Sequence, residues 1–275
     1  MRTALLLCCL FLPAMAMAVT YYVPGDYPYL QEAINACVDG DSVIVSGMQE
    51  GPFSFVGKDI VVKSSGAILW VDPYWEMSVV WFTNGETRDA ILEGFFITGE
   101  NWDGVETERK PQEGGGVRII GSSPTIRSCT FDRCEASWGG GLYCDEGSPL
   151  IEDCVFQYCD GAGGGMYLRD SGTPDLPAQI IGNTIQWNVE AGVYTRLGPN
   201  YVEIVGNTVK GNTALNIAGG LDLQSCYGLV AGNLIEGNEG YSGGGIYTSY
   251  GSLSVLGNVI CANSSEKRGG GLIWG

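Results

Sequence analysis

From residue 117 onward the chain repeats one rhythm of apolar and polar positions. A glycine step is followed by an apolar anchor and then by alternation. The anchors are Val117 in "GGGVRII", Leu142 in "GGGLYCD", Met166 in "GGGMYLR", Val193 in "AGVYTR", Leu221 in "AGGLDLQ", Ile246 in "GGGIYTS" and Leu272 in "GGGLIWG". They are 25, 24, 27, 28, 25 and 26 residues apart. A second motif keeps phase with them: "CTFDRC", "CVFQYC", "NTIQWN", "NTVKGN", "NLIEGN" and "NVICAN". Short alternating runs bounded by Gly, Pro, Ser or Asn are strand and turn grammar, and no helical period runs through them. A repeat of this length cannot bury its own apolar face. Stacked repeats can, each strand about 4.8 Å above the same strand of the preceding coil. The pattern predicts an all-β solenoid of parallel sheets, a β-helix.

Alternation also predicts directions. With the anchor as position zero, positions zero and two (Val117/Ile119, Leu142/Cys144, Met166/Leu168 and their equivalents) are mostly apolar and are expected to face the core. Positions one and three are then expected to face solvent. Ahead of the repeats, Leu30, Ala33, Ile34 and Cys37 fall at helical spacing. A short capping helix over residues 27–38 would cover the open first coil, whose bare edge otherwise invites aggregation. Less regular coils are expected around "KDIVVKS", "SVVWFTN" and "AILEGFFITG", a polar protruding loop over residues 100–113, and regular coils over 114–275.

Composition narrows the function. The net charge of −17 argues against nucleic acid, whose phosphates need clustered Lys and Arg. A solvated surface that keeps the protein soluble is its simplest consequence. There is no histidine, which removes Ser-His-Asp and Cys-His catalysis and His-ligated metals. Residues 1–18 read as a signal peptide, with Arg2, the apolar run "ALLLCCLFLP" and "AMA" at 16–18. The β-helix domain is then 19–275, and the protein is expected to be secreted, at the cell surface or periplasmic. No later run is long and apolar enough to be a transmembrane segment. The chain stops just after a new coil begins, as a truncated chain would.

The helix followed by "GDSVIV" and "GKDIVVKS", then the Gly-Gly-Gly-aliphatic-Tyr steps, "SSPTIRSCTF" and "GNTI-x-x-N", resemble exported right-handed parallel β-helix proteins of the pectate-lyase-like superfamily. The alternating Gly-Gly-x-aliphatic and Phe/Ile-x-x-Asn motifs also resemble the repeats of chlamydial polymorphic outer-membrane proteins. The resemblance covers roughly residues 20–275. It implies a right-handed coil. It does not choose an activity, because the superfamily includes lyases, hydrolases, epimerases and adhesins. The Pro-Gly-x-Tyr step common in such N-terminal coils is missing from "SGMQEGPFSF".

Two residue sets carry candidate chemistry. Alignment of the coils puts Cys129, Cys154, Asn183, Asn207, Asn233 and Asn258 in one column, and Cys134, Cys159, Asn188, Asn212, Asn238 and Asn263 in another. Asn can bond from rung to rung and tolerates left-handed turns, and Cys fills the same space as a small hydrophobe. Zinc would need four convergent sulfurs. Stacked free thiols are the preferred reading, with disulfides between neighbours such as Cys129 and Cys154 the alternative. The second set lies at positions one and three: Tyr143, Tyr167, Tyr194, Asp222 and Tyr247, with Arg169 and Arg196. A Tyr/Arg array suits an extended polymer such as a glycan, although stacked Tyr also simply stabilises sheets. Asp145 with Arg169, and Arg196 with Asp222, are expected as surface ion pairs. Asp145 and Asp222 are three coils apart, too far for a glycosidase pair.

The leading expectation is a non-catalytic module that binds a polysaccharide or a cell-surface protein. The alternatives are a polysaccharide lyase or hydrolase and a structural stalk of a longer surface protein. No cofactor is required, and calcium stays open through the acidic loop at 100–113.

Overall fold

The computed structural model describes residues 17–71, 76–99 and 110–275. Nearly all of the expected signal peptide and most of the 100–113 loop lie outside these residues. The chain winds through three long sheets, and every strand pairing is parallel. Sheet A has ten strands, from Thr20–Val23 and Ser42–Val45 to Cys226–Ala231 and Ser252–Leu256. Sheet B has nine, from Met48–Glu50 to Val259–Cys261, and sheet C nine, from Phe53–Ser54 to Leu272–Trp274. The anchors stack in register, Val117 on Leu142, Met166, Val193, Leu221, Ile246 and Leu272. This is the β-helix that the repeat predicts, with the right hand that the resemblance implies, about ten coils long.

The core is a set of columns. Inward residues of sheet A (Leu92, Ile126, Ile151, Ile180, Ile204) meet those of sheet B (Ile97, Phe131, Phe156, Ile185, Val209) and the sheet C anchors from Val117 to Ile246, all essentially inaccessible, whereas the last anchor, Leu272, is exposed. A helix over Leu30–Ala36 caps the first coil, burying Leu30, Ala33 and Ile34. Seven residues are too few to hold a helix alone. Side-chain bonds tie it to the coil: Gln31 exchanges bonds with the Ser54 backbone at 2.8 and 3.0 Å, and Lys58 Nζ donates to the Ile34 and Asn35 carbonyls.

The corners flanking sheet B are built by the two Asn/Cys columns. In the first, each amide donates to the next: Asn183 to Asn207 at 3.0 Å, Asn207 to Asn233 at 3.0 Å and Asn233 to Asn258 at 2.8 Å. In the second, Asn188 donates to Asn212, Asn212 to Asn238 and Asn238 to Asn263, at 2.9–3.0 Å. Each receiving Oδ1 also takes the backbone N–H of the residue below it, as Asn207 does from Asn183 at 2.8 Å. Each Nδ2 also donates to a core-strand carbonyl, as Asn207 does to Ile180. The cysteines, free thiols in the structure, hold the same places. Cys154 Sγ accepts from Cys129 N at 3.4 Å and donates to the Ile126 carbonyl at 3.6 Å, weaker copies of the amide bonds. The left-handed bend falls one residue before each column, at Ser128, Asp153, Gly182 and Gly206 in one and Arg133, Tyr158, Trp187 and Gly211 in the other. The column residue itself is therefore not the one that needs the left-handed tolerance of Asn.

Asn207→Ala would leave several buried amide and carbonyl groups unpartnered, at about 1–3 kcal/mol each. We expect a loss of about 3 kcal/mol or more in urea unfolding. A loss under about 1 kcal/mol would show that the ladder bonds carry little of the corner.

Candidate functional site

The outward row of sheet C reads Trp81, Arg118, Tyr143, Tyr167, Tyr194, Asp222, Tyr247 and Ile273, in register. Alternation predicts this row on the solvent face. It is not there: Tyr143 is 0 % exposed, Tyr167 5 %, Tyr194 5 % and Asp222 1 %. The members on either side of this stretch, Trp81 and Arg118 before it and Tyr247 and Ile273 after it, are half-buried. The cause is a second layer. Trp138, Ala162, Ala191 and Ile217, from the segments leading into sheet C, pack over the tyrosines. Those segments also pair with one another, Glu135–Trp138 on Asp160–Ala162, with bridges onward through Val189, Thr213 and Glu239.

The glycine steps make the fold-back possible. Gly139 and Gly163 have φ of 63° and 65°. At Gly141 a Cβ would sit 2.6 Å from both the Gly165 carbonyl oxygen and the Phe156 ring, closer than any side chain allows. The layer is legible in hindsight from Trp138, Ala162, Ala191 and Ala218, small or aromatic residues directly before the glycines. Ala218 is buried as well.

Between the layers a cleft of about 130 Å³ opens, lined by Trp138, Tyr143, Tyr167, Arg169, Arg196 and Leu197. Four of the seven ligand residues expected from sequence meet there. Tyr194, Asp222 and Tyr247 lie farther along the row, outside the lining. Trp138 and Leu197 were not foreseen. The volume suits one small ring or functional group, so the expected array for an extended polymer contracts to a single site. The Tyr143 and Tyr167 rings stack at 5.5 Å, Tyr194 meets Tyr167 edge-on at 5.2 Å, and the Arg169 guanidinium lies 6.0 Å from the Tyr143 ring centre.

The charges around the cleft are largely paired. Arg169 binds the buried Asp145 with two nitrogens, Nε to Oδ1 at 2.9 Å and the second to Oδ2. This is a partly buried fork rather than the expected surface pair. Arg118 holds Glu113 with two nitrogens as well, but both converge on the one oxygen Oε2, at 2.9 Å. The expected Arg196–Asp222 pair does not form. Asp222 instead accepts from Ala218 N at 3.0 Å and Gln224 Nε2 at 2.9 Å. Burial raises its pKa, against the pull of these bonds and of Arg196. Burial raises the Tyr194 phenol's pKa against the opposing pull of Arg196, which has no carboxylate at ion-pair distance among the described residues. Burial, then Asp145 and Glu113, push the Tyr143 phenol upward, and its hydroxyl has no hydrogen-bond partner. The only other such buried side-chain atom among the described residues is Trp81 Nε1, on the same row. No carboxylate lines the cleft, and no cluster of three or more potential metal ligands occurs among the described residues.

Two other surfaces are accounted for structurally. A depression of about 410 Å³ beside Glu86 and Arg88 holds side chains already committed. Glu86 accepts from Gly57 N, Asn84 N and Ser122, and Arg88 donates to Ser148, Pro177 and Gln179. Tyr158 and Trp187 are 45 % and 44 % exposed, but they stack on each other at 5.3 Å between Arg133 and Lys210, so their ring faces are taken.

Fold and site together define a β-solenoid with a small, donor-lined side cleft. The sequence matches the right handed beta helix region family over residues 78–209 and again over 140–273, and the chain belongs to that family. No curated protein sequence matches it. Among solved structures it is similar to the "Siphovirus 9NA tailspike receptor binding domain", at 11 % identity over 92 % of this chain and 77 % of that one. The TM-score of 0.25 is too low for that likeness to carry an argument.

A buried acid whose folded pKa is raised binds its proton more tightly folded than unfolded. Its stabilising share is present at low pH and is lost as pH rises past the unfolded value toward the folded one. Asp222→Asn, with the Gln224 amide turned over to accept, should therefore be more stable than wild type at pH 7, and the gap should narrow on acidification. Urea midpoints at neutral and mildly acidic pH check this, and a gap that widens toward low pH would contradict it.

Proposed function

We propose that this β-helix is a non-catalytic binding module that holds one ring of a glycan in the Trp138–Leu197 cleft. The observation that carries the reading is the lining itself: three aromatic side chains, two guanidiniums and no carboxylate. Aromatic walls suit the apolar face of a sugar, and fixed donors set its orientation. Acid–base cleavage of a glycosidic bond needs two carboxyl groups flanking it, which this lining does not provide. The enzyme reading is therefore the weaker alternative, and calcium would have to be held elsewhere.

The setting we propose is extracytoplasmic. Residues 1–18 have the composition of an export signal. No helix among the described residues is long and apolar enough to cross a membrane. The motif resemblance to pectate-lyase-like and chlamydial surface proteins supports a place at the cell surface or in the periplasm, with a polysaccharide or surface partner. A long, regular solenoid would also serve as a stalk that presents the cleft.

Trp138→Ala should reduce retention on a glycan affinity gel by about tenfold, equivalent to about 1.4 kcal/mol. Leu197→Asn, at an exposed rim position with φ of 60°, should weaken retention without lowering the unfolding midpoint. The wild-type chain should release no reducing ends or unsaturated products, with or without calcium. Unchanged retention of both variants would reject the cleft as the site, and product release would reject the non-catalytic reading.

A further inference from the structure

We infer that the cleft recognises a carboxylate carried on a flat ring. The inference rests on the cleft being a binding site and goes further by naming the group it reads. The polar side chains of the lining are Trp138, Tyr143, Tyr167, Arg169 and Arg196. Arginine and tryptophan only donate, and no acceptor-only side chain is present. A matching ligand must be rich in acceptors.

Two observations concentrate that demand. The Tyr143 hydroxyl is buried without a partner, and buried polar groups in folded proteins are nearly always partnered. Tyr143 has no accessible surface, so a ligand oxygen would supply the missing bond only where the lining side chains part to admit it. Arg196 is the one cleft cation that no carboxylate engages at ion-pair distance among the described residues. Arg169 is bound to Asp145, and Arg118 close by to Glu113. Asp222 acts on Arg196 only through space. A guanidinium fork matches the two oxygens of a carboxylate. Trp138, the half-buried aromatic of the lining, offers a ring surface for the body that carries it. The net charge of −17 opposes an anion at long range, but at physiological salt that field is screened beyond about 8 Å.

An aromatic acid and an acidic sugar both offer this chemistry, and the test separates them. Benzoate, glucuronate and glucose are titrated calorimetrically into the full chain, its Arg196→Gln and Tyr143→Phe variants, and Arg268→Gln as an exposed control. At least one carboxylate should bind about tenfold or more tightly than glucose. Arg196→Gln should remove that preference, Tyr143→Phe should weaken carboxylate binding severalfold with the unfolding midpoint unchanged or raised, and Arg268→Gln should change nothing. Equal affinity for glucose and the carboxylates would overturn the inference and leave the glycan reading standing. Benzoate binding that depends on Arg196, with neither sugar bound, would keep the inference and remove the glycan reading. No binding by any probe, or carboxylate binding untouched by Arg196→Gln, would end the inference.

Discussion

The structure depends on holding every coil in register with the one below. In a stack of parallel strands a slip of one residue turns every core side chain outward. Backbone pairing alone is nearly indifferent to such a slip, so register must be fixed at the corners. The Asn columns do this. Each amide reaches both its neighbour in the column and a strand carbonyl of the adjoining coil, as Asn207 does with Asn233 and Ile180. Those bonds can be satisfied in only one register, and they are buried where water cannot replace them.

The cleft is a by-product of the way the same coils bend into sheet C. A tight left-handed glycine turns the chain back on itself, and the residue before it lands outside the sheet. Where that residue is Ala162, the cover lies close over the tyrosines. Where it is Trp138, a larger side chain spans two coils, reaching within 6.5 Å of the Tyr167 ring centre. Arg169 and Arg196 rise at the far edge of the same strands. The site is thus confined to three neighbouring coils, and its geometry follows from one large side chain in a layer that elsewhere uses small ones.

The periodicity of glycine, anchor and column made the solenoid legible, down to the register of Val117 on Leu142. It also brought Tyr143, Tyr167, Arg169 and Arg196 to one strip of sheet C. Alternation could not reveal what covers that strip. A period of two separates the faces of a sheet but does not say whether the outer face meets water or another layer. Asp222 shows the limit most clearly. Read as half of a surface ion pair, it is a buried carboxylate held by Ala218 N and Gln224. Leu197 was illegible for another reason: its role comes from a left-handed loop position, not from any strand pattern.

The change from Asn to Cys in the columns falls in the coils that build the cleft, and packing gives it a reason. In "CTFDRC" and "CVFQYC" the inward residue between the two corners is Phe, and in the later coils it is Ile or Val. Phe131 and Phe156 stack at 4.3 Å with their planes 4° apart, and the Phe156 ring reaches beneath Gly141. A thiol is less polar than an amide and needs fewer partners, so it tolerates an aromatic ring beside it where an amide would compete for hydrogen bonds. The longer sulfur contacts, 3.3–3.8 Å around Cys154 and Cys159, are offset by aromatic burial. Coils 129–159 therefore trade directional bonds for dispersion, and they support the cleft by close packing of the core beneath it.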